Sequence, residues 1–152
     1  MVKKSAGLVI YRHKAGLLEI FLVHPGGPFW SKKDAGVWSI PKGEFEEEEY
    51  PIEAALREFK EETGMKITGD LFALDPLRQP GGKMVYAWAI AGDFDPAEIK
   101  SNTFSIEWPP KSGMVKEFPE VDRAGWFLIE EAMIKILKGQ QRFITQLEEK
   151  LR

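Results

Sequence analysis

The chain alternates between short runs dense in Leu, Val, Ile and Phe and stretches dense in Gly, Pro and charge, and the spacing within each run predicts its elements. Residues 5–12 and 17–23 are two apolar runs flanking His13, Lys14, Ala15 and Gly16, the pattern of a hairpin whose strands belong to a central sheet. His24-Pro25-Gly26-Gly27-Pro28 then breaks the second strand, and a loop follows to Asp34. A lone histidine at a strand end is more often structural or exposed than a ligand, so His24 is left out of the candidate site. Trp38-Ser39-Ile40 predicts a short strand, and Pro41-Lys42-Gly43 turns it toward a run of glutamates. Residues 66–74 predict a strand, 76–82 a turn and 83–90 a longer strand. Alternation in that last strand sets Lys83, Val85, Ala87 and Ala89 on one face and Met84, Tyr86, Trp88 and Ile90 on the other. Pro96, Pro109, Pro110, Gly113 and Pro119 punctuate residues 92–120, which reads as an irregular segment. A loop of that length is usually functional; Phe104, Trp108 and Lys111 are expected to help shape a pocket, with a packed connector as the alternative. The last strand is expected at Trp126-Phe127-Leu128. A helix over 130–138 stops at Gly139, and a final helix to Leu151 presents Phe143, Ile144, Leu147 and Leu151 to the sheet or to a second subunit.

Residues 51–63 carry the most information. Pro51 suits the first turn of a helix and Gly64 the left-handed residue that ends one. At about 100° per residue, Ile52, Ala55, Leu56, Phe59 and Thr63 form one apolar face, and Glu58, Glu61 and Glu62 lie along its edge. Carboxylates at these spacings repel by about 0.2–0.5 kcal/mol per pair even when exposed, and by more where water is scarce. A positive group is therefore expected among them. Oxygen ligands on a rigid element suit a hard cation, and Mg²⁺, which keeps several waters and shares substrate phosphates, is the natural one. Arg57 lies beside Glu61, with Glu49 within reach of its guanidinium, so an Arg57–Glu49 pair would hold the incoming loop to the helix. The competing reading is a solvated charged face, as Glu46 to Glu49 alone would be judged.

The full spacing weighs against that competitor. Gly43, Glu49, Arg57-Glu58-Phe59, Glu61-Glu62 and Gly64-Met65 fill nine fixed positions across 23 residues and resemble the Nudix box without gap or mismatch. The resemblance implies an α/β protein, an α/β/α sandwich around a central mixed sheet, which the order of strands and helices also suits. It implies hydrolysis of a nucleoside diphosphate linked to another group X, by attack of water on phosphorus. Mg²⁺, with Mn²⁺ as a substitute, would be held by Glu58, Glu61, Glu62 and the backbone carbonyl of Lys42. Glu120, six residues before Trp126, would be a distal ligand or base, with Glu107 and Glu117 as alternatives. Glu58 is the first choice of general base, Glu61 and Glu120 being the others, and Arg57 is an organiser. Gly43, Glu49 and Gly64 are structural. The Trp-Ser-Ile-Pro-Lys-Gly entry looks like that of members acting on diadenosine polyphosphates or inositol pyrophosphates. The side chains of Lys42 and Lys83 are candidate phosphate contacts. Tyr86, with Trp88, is a candidate nucleobase contact weighed against core packing.

Length and charge add limits. A chain of 152 residues is the size of one domain, 1–152, and would bury about 70% of its unfolded surface. The net charge of −3 suggests neither a nucleic-acid polymer nor a membrane surface as partner, so a phosphate substrate must meet local positive groups. There is no cysteine, and the apolar run after Lys3 and Lys4 is broken too early for a signal peptide, which together suggest a cytoplasmic protein. A monomer or homodimer is expected. Three functions are open: a dinucleoside polyphosphate hydrolase, a nucleoside triphosphate pyrophosphohydrolase that cleans the nucleotide pool or an enzyme of nucleotide sugars, and a non-catalytic nucleotide-binding module. The intact set of box carboxylates weighs against the last.

Overall fold

Strand β1 (Lys4–Lys14) is the axis of a computed structural model that describes residues 3–152. It turns through Ala15 and Gly16, both at positive φ, into β2 (Leu17–Pro25), which suits the right-handed twist of a tight hairpin. On its other side β1 runs parallel to β6 (Met84–Ala91) over its whole apolar length, from Lys4–Met84 to Tyr11–Ala91. Between them in the chain lie β3 (Lys42–Glu44), helix α1 (Pro51–Thr63), β4 (Phe72–Ala73) and β5 (Leu77–Arg78); the last two are antiparallel to β6. Strands β7 (Thr103–Glu107) and β8 (Val115–Pro119) form a separate hairpin, and β9 (Val121–Leu128) closes the main sheet beside β2. Helices α2 (Ile129–Lys135) and α3 (Gln141–Lys150) end the chain.

Both faces of the sheet are covered. Ala6, Leu8 and Ile10 of β1 meet Ala54, Ala55 and Phe59 of α1, while Val9 points to the opposite face with Ala132, Phe143, Ile144 and Leu147 of α2 and α3. Alternating side chains of one strand thus serve two cores, which is why β1 reads as a continuous apolar run. The expected α/β/α sandwich around a mixed sheet is the observed architecture, and the stripe on α3 packs on the sheet. Among the described residues no helix is long and apolar enough to cross a membrane.

The sheet is split where the site will lie. β2 pairs with β1 only from Tyr11 to Lys14; farther along, Ser5, Ala6 and Gly7 pair with β3 instead. Residues 38–44 fill the gap, tied by the Ser39–Val23 bridge and by the Leu8 N–H donating to the Pro41 carbonyl at 3.1 Å. Gly7 permits this approach: a Cβ there would stand 2.7 Å from that of Lys42. Trp38-Ser39-Ile40 consequently makes isolated bridges rather than the expected strand.

Four other expectations are corrected. Of residues 66–74 only Phe72–Ala73 joins the ladder, because Gly69, at φ 148°, interrupts the run while Ile67 and Leu71 pack into the α1-side core. Leu77–Arg78 pairs with β6 inside the expected turn. The segment 92–120 contains the β7–β8 hairpin, built on the alternation of Phe104 and Ile106 and on Phe118, which the flanking prolines obscured. β9 likewise starts at Val121 rather than near Trp126.

Fully buried Gln140 locks the inserted segment to the α3 side: the Ile40 N–H donates to its Oε1 at 3.1 Å, and its Nε2 donates to Ser39 Oγ at 3.1 Å. Gln140→Leu should therefore cost about 1–3 kcal/mol by stranding a buried N–H. Thermal unfolding followed by circular dichroism should register a clear fall in Tm; an unchanged Tm would show that these bonds hold nothing.

Candidate functional site

The site grows from the packing of α1 under β3. Gly43 lies against the carboxyl of Glu58, and any Cβ at position 43 would overlap it, so the backbone itself forms one wall of a carboxylate pocket. Arg57 spreads over three acids. Its Nε and Nη2 donate to Glu49 Oε2 and Oε1 at 2.7 and 2.9 Å, so the Arg57–Glu49 pair expected from the sequence is present and bidentate. Its Nη1 donates to Glu58 Oε1 at 2.8 Å and to both Glu61 oxygens at 3.2 Å. These bonds, to Glu49 foremost, hold the guanidinium pKa above its ordinary value.

Glu62 faces β3 and accepts the backbone N–H of Lys42 at 3.3 Å. Burial pushes its carboxyl up to about 8, with repulsion from Glu58 and Glu120 adding to burial and Lys42 opposing it. Glu58 is raised by burial and by Glu61, against the bond from Arg57. Glu120 is raised by burial and by Glu61. Glu58, Glu62 and Glu120 are thus raised within a single cluster of acids that includes Glu61. Beside them, burial and then the neighbouring Lys83 lower the pKa of Lys42.

Glu120 reaches this cluster through main-chain bonds. The Asn102 N–H donates to the Glu61 carbonyl and the Glu120 N–H to the Asn102 carbonyl, both at 2.8 Å, while Gly26 N–H donates to the Glu120 carbonyl at 2.9 Å. A side chain at position 26 would overlap the Pro119 carbonyl. Gly64, left-handed at φ 75°, ends α1, and a Cβ there would lie 2.8 Å from the carbonyl of Lys100. Of the acids weighed for the distal position, Glu120 lines a cavity of about 260 Å³ with Lys42 and Glu62. Glu107 instead binds the Lys111 N–H at 2.9 Å within its own hairpin, and Glu117 lies exposed on β8. Val23, Val37 and Trp30 line the same cavity. A larger cleft of about 580 Å³, between Leu17, Leu128 and Ile134, includes none of these site residues.

Lys83 stands next to Lys42 and binds Glu44 at 3.3 Å. Tyr86 is not brought to the cavity. Its register beside Ala6 sets it against Phe45, with ring centroids 6.2 Å apart, in a separate cleft with Lys4, Glu47 and Glu49. Trp88 packs into the α1-side core. His24 is buried, its Nδ1 on Asp122 at 2.8 Å and its Nε2 on the Lys33 carbonyl at 2.7 Å, so it pins the loop that follows β2. Sequence reasoning missed Gly26, Trp30 and Asn102. The Gly26-Gly27 pair and the aromatic run Phe29-Trp30 were visible signals; Asn102 acts through its main chain and gave none.

The residues present fit a hard divalent cation. Oxygen donors on a helix edge, raised in pKa by burial and mutual repulsion and given room by Gly43, form a donor set that a cation would relieve. Among the described residues no three acidic or histidine side chains form a closed cage, and Arg57 draws Glu58 and Glu61 toward itself.

This geometry has known counterparts. A segment of 65 residues is 42% identical to the asymmetrical bis(5'-nucleosyl)-tetraphosphatase of Caenorhabditis elegans, covering 43% of this chain and 43% of that protein. The chain is therefore aligned to less than half of that relative's length. A crystal structure of C. elegans Ap4A hydrolase superposes with a TM-score of 0.63 at 24% identity, covering 100% of both chains. The NUDIX domain of Shewanella oneidensis NrtR, complexed with ADP ribose, gives 0.69 at 15% identity over 100% of this chain and 90% of that one. At such identities the two structures speak for the fold. The family model of the NUDIX domain matches residues 1–147, and with the box intact on α1 and its approach, the chain belongs to the Nudix family.

Proposed function

We propose that the chain hydrolyses a nucleoside diphosphate linked to a group X, by attack of water at phosphorus, with dinucleoside polyphosphates of the diadenosine tetraphosphate kind as favoured substrates. The observation behind the reaction class is the clustering of Glu58, Glu62 and Glu120, each raised in pKa by burial and by neighbouring acids, with Glu62 and Glu120 lining a cavity that Lys42 also lines. The substrate preference is supported by the 65-residue segment shared with the tetraphosphatase.

Glu58, Glu61, Glu62 and Glu120, with the carbonyl of Lys42, would hold Mg²⁺ or Mn²⁺, which when bound neutralises pyrophosphate charge and lowers the pKa of water. The remaining work belongs to the chain itself. Glu58 is the proposed proton acceptor: burial raises its pKa above the ordinary carboxylate value, and its carboxyl lies against the Gly43 backbone at the edge of α1. Arg57, committed to Glu49 through two nitrogens, fixes the approach loop against α1 rather than moving protons. Lys42 and Lys83 supply the positive charge that an overall acidic protein must concentrate locally for a polyphosphate. A nucleoside triphosphate would use the same groups, and a panel of substrates with Mg²⁺ separates the two classes. A binding module without catalysis is the reading that remains if no panel member turns over while one binds tightly.

Glu58→Gln and Glu62→Gln should each lower turnover of diadenosine tetraphosphate by about 10²–10⁴-fold with the fold retained, since Ala54, Ala55 and Phe59 carry the packing of α1. Loss of folding with unchanged specific activity in the soluble remainder would contradict the assignment. A pH dependence follows as well. With its folded pKa at about 8 against an ordinary 4.5, Glu62 binds more proton in the metal-free folded state than in the unfolded one. Its contribution to stability is complete below the ordinary value and is lost as pH rises through the folded value. In EDTA, Tm should fall as pH rises from about 4.5 to about 8, the window set by that shift. Glu62→Gln should flatten the fall and millimolar Mg²⁺ should offset it; identical profiles for wild type and variant would refute the coupling.

A further inference from the structure

The loop between β2 and β3 has a role that the box does not assign. Residues 26–33 are held at several points: Gly26 on Glu120, Gly27 against the ring of Phe104, Trp30 N–H on the Gly27 carbonyl at 3.4 Å, and the Lys33 carbonyl on buried His24 at 2.7 Å. Phe29 meets Trp108 of the β7–β8 hairpin edge to face, with centroids 5.3 Å apart. This is a fixed platform, and it presents Trp30 to the cavity that also contains Lys42, Glu62 and Glu120. The indole remains 40% exposed although the Lys33 ammonium stands 5.2 Å from its ring centroid. A partly exposed aromatic ring beside a polar cavity is a surface that a flat ligand can cover.

The rest of the lining says what kind of ligand. Apart from the acids, Lys42 and Ser39, the wall is apolar, formed by Val23, Pro25, Val37, Val121 and Leu137. Against that apolar wall sugar or inositol hydroxyls would go unpaired, whereas a flat heterocycle would bury its faces without stranding polar groups. We infer that the apolar side of this cavity receives the nucleobase of the substrate, leaving Lys42, Glu62 and Glu120 to the phosphates, and that Trp30 is the surface on which the base stacks, so the loop after β2 sets the preference for nucleotides over phosphorylated sugars and polyols. The inference deepens the function proposed above and rests on it for the identity of the substrate. It also supplies the aromatic contact that Tyr86, facing another cleft, does not provide.

AMP and ribose 5-phosphate differ by the base alone and form the decisive pair of ligands. Their binding to the full chain with Mg²⁺, measured by isothermal titration, should respond differently to Trp30→Ala. The affinity for AMP should fall by about 5- to 100-fold, the range expected for loss of one stacked base, and more than the affinity for ribose 5-phosphate does. Trp30→Phe should recover most of the loss. In kinetics, kcat/KM for diadenosine tetraphosphate relative to 5-phosphoribosyl 1-diphosphate should drop at least about 10-fold, mainly through KM. Equal effects on the two ligands, or no effect on AMP, would overturn the inference, as would failure of the wild type to bind AMP. Base-dependent binding through Trp30 without turnover of any substrate would sink the catalytic proposal and leave this one standing. Turnover indifferent to Trp30 would do the reverse.

Discussion

Bringing four carboxylates together, three of them half-buried on α1 and Glu120 at the exposed rim, is the constraint on which this architecture turns. Repulsion among Glu58, Glu61, Glu62 and Glu120 would spread them apart on a pliable scaffold, and the fold answers with rigidity from both sides. From below, Ala54, Ala55 and Phe59 seat α1 on the Ala6, Leu8 and Ile10 face of β1. From above, the divergence of β1 and β2 admits β3, so that Gly43 closes over Glu58 and the Lys42 N–H meets Glu62. Arg57 supplies the compensating charge at the helix edge and ties in Glu49 with the same side chain. Site and split sheet are therefore one device.

The acids on α1 were legible because helical period and box spacing are local properties. Pro51, Gly64 and the phase of Ile52, Ala55 and Phe59 fix where Glu58, Glu61 and Glu62 point before any tertiary contact forms. The sandwich was legible for a similar reason, since strand and helix order constrains layers. Tertiary pairing was not. Residues 66–74 look like a strand by composition, yet burial of Ile67 and Leu71 in the core wins over ladder bonds. Residues 103–107 and 115–119 form a hairpin whose alternation is short and framed by proline. Tyr86 was read as a base contact from residue type and alternation, while its neighbour across the sheet decides which cleft it faces.

The loop after β2 and the stretch at 100–102 illustrate two ways of reaching a site from elsewhere in the chain. The first brings a side chain, Trp30, and announces itself by aromatic residues beside glycines. The second joins the end of α1 to the start of β9 through Lys100 and Asn102 without lending a functional group. Together they tie helix α1 to the β7–β8 side of the molecule.

Asn102 is exposed, and both of its bonds to the site, one to the Glu61 carbonyl and one from the Glu120 N–H, are made by peptide groups. The spacing between two acids nearly sixty positions apart is therefore stored in backbone geometry and not in any residue's identity. Position 102 is free to drift chemically as long as its peptide keeps its course, whereas Gly26 and Gly64, whose missing side chains make that course passable, are not. Informative side chains do not mark such a joint, even though Glu120 has no other tie to α1 among the main-chain bonds described.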